Sequence, residues 1–411
     1  MSTTLKVCLL SSALSLGGIG AGVAEEAAPA APTPAPEFKL SGYVEAGIVA
    51  NTDSPRDRKN FGHLFTDYAN RPVLNQAVLT AEKAIDPAVD YSLGFKAQAM
   101  YGSDARITHF LGIADSSKNR NQFDVVEANV SIHTPWLGAG GMDIKAGLYP
   151  TLLGAEVIDP NGNAFYTHSY LFNFGLPLKH AGVLTTTHVD ATLDVYAGVD
   201  TGTNTTFGRK GDNNGAIAFM GGIGLNGLFG GKTTVLAATH IGAENPRGTP
   251  GVRANKDLRY FNDIVIATKV SDALTLTTEF NYVKDDGFDA AGYGVVQYAV
   301  YALSDRIGLA ARAELWRDAD GFYVAKFPGN SDFADFQHGY PFATAIGYGK
   351  ATYGAITLGL AWKPVIAGSP VAFTLRPELR YDAVLSSGVR PYNNGTARGQ
   401  FTAAIDLIAK F

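Results

Sequence analysis

The chain ends on Phe401-Thr-Ala-Ala-Ile-Asp-Leu-Ile-Ala-Lys-Phe411. Laid out as an extended strand, Phe401, Ala403, Ile405, Leu407, Ala409 and Phe411 share one face, and Thr402, Ala404, Asp406, Ile408 and Lys410 share the other. A terminal strand with an oily face is an aggregation hazard unless its edge is paired and its face covered. A membrane barrel meets both conditions. In hydrocarbon every backbone N–H and C=O needs a partner, so a spanning sheet must close on itself. The last strand is therefore expected to pair with the first, near residues 38–50, and to turn its oily face to lipid.

The same period of two recurs from residue 38 to the end. Phe373, Leu375, Pro377, Leu379 and Tyr381 alternate with Thr374, Arg376, Glu378, Arg380 and Asp382. Leu274, Leu276, Thr278, Phe280 and Tyr282 alternate with Thr275, Thr277, Glu279 and Asn281. The pattern predicts about sixteen strands, near 38–50, 76–85, 91–102, 123–135, 142–150, 180–188, 191–200, 215–227, 232–243, 258–270, 273–284, 293–303, 306–317, 352–363, 371–384 and 399–411. Most are long enough to cross a bilayer when tilted, which takes about 9–11 residues. Their connections alternate. Tight ones fall at 86–90, 136–141, Val189-Asp190, 228–231, Ser271-Asp272, Ser304-Asp305 and 364–370. Long ones fall at 51–75, 103–122, 151–179, 201–214, 244–257, 285–292, 318–351 and 385–399. Short periplasmic turns and long extracellular loops give this rhythm in an all-β, antiparallel transmembrane barrel.

The totals agree. Charged residues make up 17% of the 411, and the chain carries 47 Gly, 19 Tyr and 23 Phe. A net charge of −5 offers nothing to a nucleic acid. Residues 1–24 read as a signal peptide, with Lys6 before a largely apolar run and small residues at Gly22-Val23-Ala24. Cys8, the chain's one cysteine, falls within it, so the mature chain uses neither disulfides nor thiolate metals. Residues 25–37 read as a Pro/Ala-rich periplasmic linker, and 38–411 as the barrel.

Several motifs imitate other functions. Gly222-Ile-Gly-Leu-Asn-Gly227 fits a dinucleotide fingerprint, but a strand follows it where a helix is needed. Arg317-Asp-Ala-Asp-Gly-Phe322 resembles a calcium loop but lacks its later ligands. The eight histidines show no metal-ligand spacing. No catalytic residue, cofactor or metal is assigned.

The polar wall faces carry more. Asp143 and Lys145, Arg312 and Glu314, and Arg376, Glu378, Arg380 and Asp382 project into the lumen and are candidate pore-lining residues. Charges of both signs on an inward face suit a wet channel with a transverse field. Residues 151–180 stand where an extracellular loop belongs, yet they are rich in aromatics. Tyr166, His168, Tyr170, Phe172 and Phe174 are expected to fold into the mouth and narrow it.

Residues 163–204, the Arg376–Asp382 strand and the terminal Phe411 together resemble the outer-membrane β-barrel porins called OmpL-like. The resemblance implies a pore for small solutes in the bacterial outer membrane. It also implies that Phe401, Ile405, Leu407 and Phe411 form the signal read by the barrel-assembly machinery. The expected function is passive diffusion of small hydrophilic solutes. The expected partners are those solutes, outer-membrane lipid, the assembly machinery and further copies of the chain. The rivals are a channel specific for sugars or peptides, a hydrolase at the barrel rim, and a plugged barrel that only anchors loops.

Overall fold

The computed structural model describes residues 36–115, 117–339 and 348–411. The expected signal peptide, residues 1–24, and residues 25–35 of the expected linker lie outside the described residues. Sixteen strands follow one another: β1 Lys39–Asn51, β2 Pro72–Lys83, β3 Leu93–Gly102, β4 Gln122–Thr134, β5 Met142–Pro150, β6 Lys179–His188, β7 Leu193–Asp200 and β8 Ala218–Gly227. The second half continues with β9 Thr233–Gly242, β10 Arg259–Lys269, β11 Leu274–Asp285, β12 Ala290–Ser304, β13 Ile307–Asp318, β14 Ala351–Trp362, β15 Ala372–Val384 and β16 Gly399–Lys410. Each pairs antiparallel with its chain neighbours, and β16 pairs with β1, so the sheet closes.

Closure is tight at the terminal residue. The Phe411 N–H donates to the Gly42 carbonyl at 2.9 Å, and the Gly42 N–H returns the bond at 3.0 Å. A Cβ at residue 42 would stand 2.6 Å from the Phe411 ring, so glycine here lets the last side chain lie across the seam.

The alternation sorts the wall as the sequence predicts. On β15, Leu379 and Tyr381 are 51% and 54% exposed on the outside, while Arg380 and Asp382 are 1% and 0% exposed on the inside. Phe401, Ile405, Leu407 and Phe411 also face outward and are exposed. Residues Gly222–Gly227 run through β8 into a turn, and β9 follows that turn. The Asp318 carboxylate is taken up by the N–H groups of Gly321, Phe322, Tyr323 and Val324, each at 2.9 Å, which makes a turn of the calcium-loop look-alike.

One connection differs from expectation. Residues 285–292 were expected as a long excursion, but β11 and β12 pair as far as Asp285 and Ala290. The Asp285 side chain accepts from the N–H groups of Gly287 and Phe288 at 2.8 and 3.0 Å and closes the hairpin tightly.

The outward face predicts a stability difference. Leu358 is outward, exposed and inside β14, so Leu358→Arg is expected to cost about 2–4 kcal/mol in lipid. Thr277→Arg, on an inward and half-buried position of β11, is expected to be tolerated. Urea unfolding in vesicles checks both, and equal losses would contradict the face assignment.

Candidate permeation path and the segment that crosses it

Inward side chains meet the segment 151–178 instead of open water over much of the lumen. Its backbone and side chains bond to the inner faces of β2, β10, β11, β12, β13 and β15. The segment thus runs across the barrel interior. Two wall glycines give it room. A Cβ on Gly47 of β1 would stand 2.6 Å from the Tyr166 ring, and one on Gly359 of β14 would stand 3.0 Å from the Phe165 ring. Inside the segment, Ser169 caps a short helical turn, Tyr170–Phe174, by accepting from the Phe172 N–H at 3.1 Å.

Three arginines grip the segment. Arg376 binds Asp406 of β16 at 2.5 Å and Glu45 of β1 at 2.9 Å, and donates to the carbonyls of Pro160 and Asn163 at 2.8 Å each. Arg380 pairs with Asp382 at 2.7 Å and with Glu314 at 3.0 Å, and donates to the His168 carbonyl at 3.0 Å. Arg312 donates to Glu156 and to the Thr167 carbonyl, both at 2.7 Å. Carboxylates return the grip. Glu378 accepts from the Tyr166 N–H at 2.8 Å and from the Thr167 hydroxyl, and Glu314 accepts from the Tyr170 N–H at 2.6 Å. From the extracellular side, His63 of the loop 52–71 reaches Asp382 at 3.1 Å.

The candidate residues fall into two groups. Arg312, Glu314, Arg376, Glu378, Arg380 and Asp382 face inward but are buried beneath the segment. Backbone polar groups of the segment must find partners inside the barrel, and these charges supply them. Asp143 and Lys145 of β5 stay half-buried, and Asp143 lies 2.6 Å from His133 and 3.3 Å from His188. The aromatics are all buried: Tyr166, His168, Tyr170, Phe172 and Phe174. His168 stacks on Phe172 at 4.1 Å, and Tyr170 stacks on Tyr353 at 5.5 Å with its hydroxyl 2.9 Å from that of Tyr392. The rings of His168, Phe172 and Tyr170 are thus stacked, while Phe174 lines a cavity beside Leu176 and Phe261.

Sequence reasoning missed Glu156, the acceptor at the centre of the grip. It receives His168 at 2.8 Å, the Ser169 N–H at 3.0 Å and the Tyr298 hydroxyl at 3.0 Å besides Arg312. No local motif marks it, because Tyr298 and Arg312 lie far away on β12 and β13 and the nearer partners, His168 and Ser169, stand 12 and 13 residues on. Burial pushes its carboxyl up, but Arg312 and the hydrogen bonds from His168 and Ser169 prevail and hold it at about 2, from an ordinary 4.5. A carboxyl lowered on folding stabilises the fold fully above its unfolded value and ceases to as pH falls through the folded one. The segment's anchoring is thus expected to hold at neutral pH and to weaken from about pH 4.5 toward 2. Cleavage at the segment's aromatics by pepsin, which works in acid, reads this release across that pH range. Glu156→Gln should remove that pH dependence, and an unchanged profile would refute the anchor.

The family model described as "Putative beta-barrel porin-2, OmpL-like" matches residues 37–411. The chain belongs to this porin family. Among curated proteins, none matches the porin's sequence. Solved structures share its fold at low identity. The outer membrane channel DcaP of Acinetobacter baumannii is 12% identical, with 92% of this chain and 98% of that one covered at a TM-score of 0.55. The anion-selective porin of Comamonas acidovorans is 11% identical over 91% and 99%, at 0.56. The trimer form of OmpT, an outer membrane protein of Vibrio cholerae, is 13% identical over 92% and 99%, at 0.50. The protein is an outer-membrane porin of bacteria, a closed barrel of sixteen strands.

Proposed function

We propose that this porin passes small hydrophilic solutes by passive diffusion along a lumen narrowed by residues 151–178. The observation that carries this reading is the grip of Arg312, Arg376 and Arg380 on that segment from the inner wall. A segment bonded at so many points is a fixed constriction, and solute size and charge then set the flux. Asp143 and Lys145, left half-buried, would meet passing solutes. No step of this function asks for catalysis or a cofactor. Lipid surrounds the exposed outer face. The trimer form among the fold neighbours supports assembly with further copies of the chain. The exposed stripe Phe401, Ile405, Leu407 and Phe411 suits recognition by the barrel-assembly machinery.

Swelling of liposomes in a series of sugars tests the reading. Rates are expected to fall steeply with solute size and to rise linearly with concentration. Saturable flux blocked by a competitor would instead mean a substrate-specific channel. The dense packing around 151–178 favours a second reading, a barrel shut at rest. It predicts no swelling until the segment is released.

A further inference from the structure

A separate cluster sits at the extracellular end of the wall formed by β6–β9. His180 comes from β6, Asp200 from β7, His240 from β9, and Glu244 from the loop that follows β9. The register explains the meeting: Asp200 pairs with Gly182, and His240 pairs with Met220 of β8. Inward side chains of β6, β7 and β9 therefore converge, although no linear motif links them.

The geometry is that of a ligand set. Asp200 Oδ1 lies 3.1 Å from His240 Nε2 and 3.4 Å from His180 Nδ1. The candidate ligand atoms all lie within 4.8 Å of one another. Zinc binds histidine nitrogen and carboxylate oxygen at about 2.0–2.2 Å in a tetrahedron, whose edge is then roughly 3.3–3.6 Å. The two distances to Asp200 are close to such an edge.

The second observation is unmet bonding. His180 is 0% exposed, yet its Nε2 has no hydrogen-bond partner among the described residues and its Nδ1 has only the long 3.4 Å approach of Asp200 Oδ1. His240 Nδ1 and Glu244 Oε1 are also buried without one, and face each other at 3.7 Å. Buried polar atoms are ordinarily paired, so an imidazole with one bare nitrogen and one long contact points to a missing ligand. The outer contacts are already arranged. The Gly202 N–H holds Asp200 Oδ1 at 2.7 Å, and the Thr203 N–H holds Glu244 Oε2 at 2.7 Å. A carboxylate behind a ligating histidine is how such rings are oriented on a metal. Two imidazoles among three donors select a borderline transition ion over Mg²⁺ or Ca²⁺.

We propose that His180, Asp200 and His240 bind one Zn²⁺ or a first-row ion of the same class, with Glu244 orienting His240. The ion clips the loops 201–217 and 243–258, which carry Gly202, Thr203 and Glu244, onto the barrel wall. This inference rests on the barrel and does not depend on what the porin transports.

The test uses the full mature protein, refolded in detergent, stripped with EDTA and dialysed against ZnCl₂. Atomic emission should find about one Zn²⁺ per chain, and zinc should raise the melting temperature of the stripped protein. His180→Gln with His240→Gln should abolish both effects. Because that variant removes buried groups, Asp200→Asn is the second probe. It should remain folded and bind zinc at least about tenfold more weakly, the scale on which metal-site substitutions act. A folded wild-type protein without zinc would overturn the proposal. So would unchanged zinc affinity in Asp200→Asn. Zinc lost only on replacing His133 and His188 would place the ion beside Asp143 and overturn it too.

Discussion

Arg376→Met is expected to lower barrel stability by about 3–5 kcal/mol and to raise single-channel conductance. Arg376 is almost wholly buried and is the shared cation of Glu45 and Asp406. Methionine fills similar space but leaves two carboxylates buried without their cation. Breaking a buried pair costs far more than the pair contributes net, because the remaining charge has neither water nor partner. The same guanidinium also holds the carbonyls of Pro160 and Asn163, so its loss frees the stretch 160–163 from β15. Glu45→Gln and Asp406→Asn in the same chain should recover much of the stability by removing the orphaned charges. They should not restore the conductance, since neither rebuilds the bonds to the carbonyls. Urea unfolding in vesicles and bilayer recording separate the two effects. If the triple variant regained both, the segment would be held by something other than Arg376.

Deleting residues 160–172 is expected to give the largest change in conductance, a several-fold increase. The deletion removes Tyr166, His168, Tyr170 and Phe172, which are buried inside the barrel. It uncovers Arg376, Glu378, Arg380 and Asp382, which then line a wet lumen. Water can hydrate these charges once the segment is gone, so the barrel should lose less stability than with Arg376→Met, where charges stay buried. A channel that widens while its wall stays folded is the signature of a plug removed. Unchanged conductance at intact folding would count against the constriction.

The barrel was legible because its wall obeys a local rule. Leu379 and Tyr381 must meet lipid and Arg380 and Asp382 must not, and a period of two writes that into adjacent residues. The sixteen strands and the closing partnership of Phe411 with β1 follow from that rule and from the need to bond every backbone group. What the inner face touches is a different matter. Nothing near Arg312 in the chain announces Glu156, because the two meet only after the segment folds back across the lumen. Sequence marked the charges as inward but not as covered. The His180, Asp200 and His240 cluster was illegible for the same reason. Its spacing is set by register across four strands, while a motif search sees only distance along the chain. The hairpin between β11 and β12 escaped because Asp285 tightens it through its side chain, where the run of Gly and Asp read as a loop.

The most direct measurement is a planar-bilayer recording of the wild-type porin beside its 160–172 deletion, each first shown to be folded. A narrowed diffusion channel predicts discrete, ohmic steps in the wild type and clearly larger ones in the deletion. Folded barrels that carry no current in either form would contradict a permeation path through this lumen.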